Sequence, residues 1–149
     1  MNATNRLNSP TRLLLSGIAG FAIGAALFAA VAIPAAAVYQ PLISLDERCY
    51  QRSLDNVLKY RLDTPATGCV PTVVFVAVVA ARYGPAMFLM PPGDIDIRAP
   101  IASALLFAVI GGIATASAGR RLGTAITAVA LLVIEIALGA LLFALSAFG

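Results

Sequence analysis

The sequence predicts an all-α integral membrane protein: four transmembrane helices, with a short amphipathic helix in the loop between the first and the second. Three observations carry this reading. Of 149 residues, 60% are hydrophobic and only 11% charged, against about 25% charged in soluble domains, which fits a chain whose solvent is mostly lipid. The mean hydropathy is correspondingly high, at +0.93. The last apolar run, 122–148, is longer than the about 20 residues that a hydrocarbon core of about 30 Å requires.

Residues 1–12 read as a polar N-terminal tail, and 13–149 as a single four-helix membrane domain with spans at about 13–37, 66–90, 100–119 and 122–148 and a polar loop at 39–65. The first span competes with a cleaved signal peptide, because Ala35, Ala36 and Ala37 resemble a cleavage site. Its run of about 20 apolar residues before Pro34 is long for a signal core of about 7 to 15, which favours a retained helix. Ser16, Gly20 and Gly24 recur every four residues and stack small side chains on one face, a surface that another helix can approach closely.

In the polar loop, Ser44 and Glu47 have the spacing of a capping box. From there Leu45, Cys49, Leu54, Leu58 and Leu62 recur at helical spacing, predicting the amphipathic helix over 44–62, ended before Pro65. Arg48, Arg52, Asp55 and Lys59 take its other face. The whole loop balances Arg48, Arg52, Lys59 and Arg61 against Asp46, Glu47, Asp55 and Asp63. Cys49 and Cys69 bracket its second half. They form a disulfide if the loop faces an oxidising compartment, and pack as two small hydrophobes if it does not.

The second span has two readings. The helix either ends at Arg82 and Tyr83, with the arginine reaching for the interface, or continues to Met90 with a kink at Gly84 and Pro85. Residues 91–99 read as a turn and a short link carrying solvated Asp94, Asp96 and Arg98. In the third span Ala108, Gly112 and Ala116 repeat the four-residue spacing of small side chains. Arg120, Arg121, Leu122 and Gly123 read as a tight polar turn, making the last two helices an antiparallel hairpin.

Glu135 is the one ionisable residue inside the last run. A carboxylate at mid-membrane costs several kcal/mol unless it is protonated, paired or wetted. It is therefore a proton or ion site, one half of a buried pair with Arg82, or a bond to another subunit.

Absences narrow the chemistry. The chain has no His, which removes imidazole ligation and histidine-based triads. Two Cys are too few for a zinc cage. No cofactor, metal or catalytic constellation is expected. A net charge of +3, dispersed as it is, gives no nucleic-acid footprint. The expected partners are the lipid bilayer and other membrane protein subunits or further copies of the chain. The composition, rich in alanine and poor in lysine, suggests a bacterial plasma membrane. Four spans with the N-terminus inside would leave Arg6, Arg12, Arg82 and Arg98 inside, against six Lys/Arg outside. By the positive-inside rule that count opposes an internal N-terminus, whereas the usual dominance of the first segment and an outward disulfide favour one, and an internal N-terminus is the expectation. The reading that follows is a non-catalytic structural or accessory subunit of a larger membrane complex. The alternative is an oligomeric transporter or channel subunit working through Glu135.

Overall fold

No glycine falls between Gly24 and Gly68, so nothing in that interval supplies the left-handed glycine on which helices commonly stop. The first helix accordingly continues. In the computed structural model, which describes residues 10–61 and 64–148, α1 is one 51-residue helix over Pro10–Tyr60, about 77 Å long at 1.5 Å per residue. Most of the expected tail, residues 1–9, lies outside the described residues, as do Leu62 and Asp63 of the polar loop.

The expected amphipathic helix over 44–62 is thus no separate element but the outer part of α1. The capping box does not form, because no helix begins there: the Ser44 hydroxyl donates to the Pro41 carbonyl at 3.0 Å. Pro34 and Pro41 lie inside α1. Each removes one N–H from the helix ladder, but the alanine, leucine, arginine and glutamine around them favour helix, and the ladder resumes. α1 finally ends at Arg61, which takes a left-handed φ of 53°.

Residues 64–71 then run back along the outer part of α1 as a strap. The Thr67 N–H donates to Ser53 Oγ at 3.1 Å and the Val70 N–H to Asp46 Oδ1 at 2.9 Å. Between them Cys49 and Cys69 are joined in a disulfide, with Cα atoms 5.6 Å apart. Helix and strap together make an arm.

The expected span at 66–90 does not form. α2 covers only Thr72–Tyr83, 12 residues or about 18 Å, against about 30 Å of hydrocarbon. Gly84, with φ of 64°, donates its N–H to the Ala80 carbonyl at 2.8 Å and turns the chain out of the helix. A 3-10 segment, Pro85–Leu89, follows. Of the two readings of this stretch, the helix that ends at Arg82 and Tyr83 is the one observed.

α3 covers Ile95–Ala118 and α4 covers Arg120–Phe148. Both begin earlier than the expected 100 and 122. The stretch read as a link is therefore the first turn of α3. The turn between the helices is Gly119 alone, at φ of 80°, and Arg120 and Arg121 already belong to α4.

Contacts fix the levels of these elements. Gly24 meets Phe107, Gly20 meets Gly111, and Ser16 meets Thr115, so α3 descends antiparallel to α1. Ser103 touches the end of α2, two turns below the start of α3. The chain therefore dips to the level of Ser103, turns at Gly84, climbs past the 3-10 segment, and enters α3 from the end it came from. α4 returns upward from Gly119. One end of the bundle holds Pro10 and the Gly119 turn; the other holds the arm, Ile95 and Phe148.

The buried core is Phe28, Ala32, Phe107 and Leu131, with the Phe28 and Phe107 rings stacked at 5.6 Å. Among the described residues three helices, α1, α3 and α4, are long and apolar enough to cross a membrane, and are compatible with a membrane location.

Candidate functional site: the Glu135 groove and the clasps around it

Small residues and hydroxyls decide how closely these helices approach. The predicted faces of α1 and α3 do meet, although the α3 row is displaced by one residue. A side chain on Gly20 would collide with Thr115 and the Gly111 carbonyl, and one on Gly24 with the Phe107 carbonyl. The tightest row is therefore Phe107, Gly111 and Thr115, rather than Ala108, Gly112 and Ala116. Ala108 is nonetheless buried, while Gly112 and Ala116 are half-buried. Ser16 Oγ donates to the Thr115 carbonyl at 3.0 Å. The Thr115 hydroxyl, 2.9 Å from the Ser16 carbonyl and 2.8 Å from that of Gly111, shares its proton between them. Every polar group on this seam is occupied within the chain.

A second clasp holds the break after α2. Ser103 Oγ donates to the Tyr83 carbonyl at 2.8 Å and accepts from the Ala86 N–H at 3.1 Å. These are backbone groups that the turn at Gly84 takes out of the helix ladder. In an apolar setting each would otherwise cost several kcal/mol.

Above it, Arg82 folds against aromatic rings. Its guanidinium carbon lies 4.2 Å from the Tyr39 ring centroid and 4.8 Å from that of Tyr83. Such contacts are worth about 2 kcal/mol when desolvated. Nη2 is 3.3 Å from Asp96 Oδ1, and the Tyr83 hydroxyl donates to the same oxygen at 2.6 Å. The pair of Arg82 with Glu135, one of the three readings of that carboxyl, therefore does not form; Asp96, read from the sequence as solvated, takes the arginine instead. The sequence reading names Asp96 only as a solvated carboxylate and does not reach Tyr39, Ser103 or Thr115. Hydroxyls at mid-helix in long apolar runs were the available signal for Ser103 and Thr115.

Glu135 lies close to the middle of the 29-residue α4. Its two carboxyl oxygens are shut off from solvent and have no hydrogen-bond partner. Beside it runs a groove of about 260 Å³ between α2 and α4, lined by Val73, Val76, Ala77, Ala80, Ala81, Ile136, Gly139 and Ala140. A Cβ added at Gly139, one turn from Glu135, would meet nothing within 4 Å. The groove is thus apolar and narrow-walled, with one unsatisfied carboxyl.

Fold and site together define a small all-helical protein with apolar spanning-length helices and one enclosed carboxyl without a hydrogen-bond partner between two of its helices. Comparison adds no relative: no family model, curated protein or solved structure matches the chain.

Proposed function

We propose that this protein is a non-catalytic accessory subunit of a larger membrane complex, docking through the face where α2 and α4 meet. The observation that carries this is the unpartnered Glu135 carboxyl beside an apolar groove with alanine and glycine walls. A polar group at that depth favours a hydrogen-bonding partner, and small side chains allow a foreign helix to approach. The exposed apolar side chains Val129, Leu132, Val133 and Ile136 suit α4 to contact with lipid or another helix. The rival reading, transport through Glu135, has less support: no second carboxyl joins Glu135 in lining the groove, and proton paths generally need several groups in series.

The orientation follows from the arm. A disulfide is at home in an oxidising compartment, which favours an arm outside a bacterial plasma membrane. Arg12, Arg120 and Arg121 then fall inside. The short α2 moves Arg82 and Arg98 to the arm end, so the four-span charge count no longer applies. Three spans put the two ends of the described chain on opposite faces, whereas the expected four would have put them on one.

The test is purification of the tagged protein in a mild detergent with mass spectrometry of what remains bound. A defined set of larger membrane proteins supports the reading, and migration as a lone monomer overturns it. A reporter fused after Gly149 should be active on the outer face only.

A further inference from the structure

Resting on the accessory-subunit reading, we propose that the groove between α2 and α4 receives one transmembrane helix of a different protein, and that this helix carries a single lysine or arginine at mid-bilayer that pairs with Glu135. Charge complementarity selects the occupant. A bilayer acyl chain would fill the apolar walls equally well but would leave both carboxyl oxygens unsatisfied. A basic side chain satisfies them with charge-assisted hydrogen bonds, which are roughly twice as strong as neutral ones.

A second copy of the chain does not fit. Among the described residues its basic groups stand at helix ends or on the arm, and Arg82 is already held by Asp96. The mid-helix hydroxyls of Ser103, Thr115 and Thr127 already donate to backbone carbonyls of their own chain. The carboxyl oxygens are enclosed in the free chain, and the open space at Gly139 gives the Glu135 side chain room to turn toward a long flexible side chain of the partner. Ala77, Ala80, Ala81 and Ala140 let the partner backbone come close, as small residues do between membrane helices.

The experiment uses the full-length, fluorescently labelled protein in phosphatidylcholine vesicles. The probe is a synthetic alanine–leucine transmembrane peptide with one central arginine, compared with the same peptide carrying a central glutamine. Association is read by energy transfer. The expected result is at least tenfold tighter association of the arginine peptide, with the preference abolished in Glu135→Gln and both peptides weakened in Gly139→Leu. Equal association of the two peptides, or a preference that survives Glu135→Gln, overturns the proposal. So does energy transfer between copies of the chain that Glu135→Gln removes, since the occupant would then be a second copy. Unchanged helical circular dichroism in Glu135→Gln shows that the variant is folded.

The two readings fail separately. Partners that copurify equally with wild type and Glu135→Gln, with no peptide preference, overturn the groove and leave the subunit reading standing. A peptide preference with no copurifying partner upholds the groove and overturns the subunit reading.

Discussion

The α1–α3 seam and the α2–α4 groove are both built from small residues, yet one is closed and the other open. On the seam, Gly20 and Gly24 lie against the backbone of Gly111 and Phe107, and Ser16 and Thr115 exchange hydrogen bonds at 3.0 and 2.9 Å. In the groove, Gly139 faces empty space and both oxygens of Glu135 lack a partner. Small side chains therefore do not by themselves say whether a helix face is finished. What separates the two cases is whether the polar groups in contact with that face are satisfied within the chain.

The comparison breaks most sharply at its glycines. Gly24→Leu should destabilise the protein by about 3 kcal/mol or more, because the new side chain has no room against the Phe107 carbonyl and the helices must separate. Gly139→Leu should leave the stability of the isolated chain nearly unchanged. Thermal unfolding in detergent followed by circular dichroism distinguishes them. Equal losses would mean that the groove is as tightly packed as the seam.

Glu135→Leu sharpens the contrast by reversing its sign. An unpaired carboxyl among apolar side chains costs about 2.5 kcal/mol, so its removal should stabilise the isolated chain by an amount of that order in the same unfolding measurement. The same substitution should cost the protein its copurifying partners. A destabilised variant would mean that the carboxyl has a donor within the chain.

Ser103→Ala examines the join between the two regions. It would strand the Tyr83 carbonyl and the Ala86 N–H, for a loss of about 2 kcal/mol. Hydrogen exchange at Ala86 should accelerate while exchange along α1 does not. A uniform acceleration would show that the turn at Gly84 and the α1–α3 seam unfold as one unit.

The apolar runs, the hairpin of the last two helices and the small-residue face of α1 were legible because periodicity and composition encode them directly. Three features were not. α1 continues through Pro41 because no glycine stops it, while the proline and the Ser44–Glu47 spacing both signal a boundary; local signals lost to the helix-favouring run around them. The second apolar run has the length of a span, but Gly84 and Pro85 cut it, and the buried Ser103 hydroxyl makes that cut tolerable from a distant part of the chain. Arg82 and Glu135 looked like a pair because they were the charges assigned to apolar runs. The short α2 brings Arg82 to Asp96 and the ring of Tyr39, a choice that depends on depth, which the sequence does not print.

The arm offers the smallest and most local effect. Arg61 holds φ at 53° to end α1, a conformation that costs a residue with a Cβ about 1 kcal/mol or more. Gly pays no such steric cost but loses more chain entropy on folding. Arg61→Gly should therefore stabilise the end of the arm by a net of about 0.5 to 1 kcal/mol. The gain should appear as slower hydrogen exchange over the last turn of α1 and slower proteolysis of the strap, with unfolding of the apolar helices unchanged. The disulfide between Cys49 and Cys69 confines the effect, because the strap stays tied to α1 whichever residue occupies the turn. Faster exchange in Arg61→Gly would show instead that the arginine side chain holds the turn more strongly than its backbone conformation strains it. A change in the unfolding of α3 or α4 would show that the arm is mechanically part of the bundle rather than an extension standing on it.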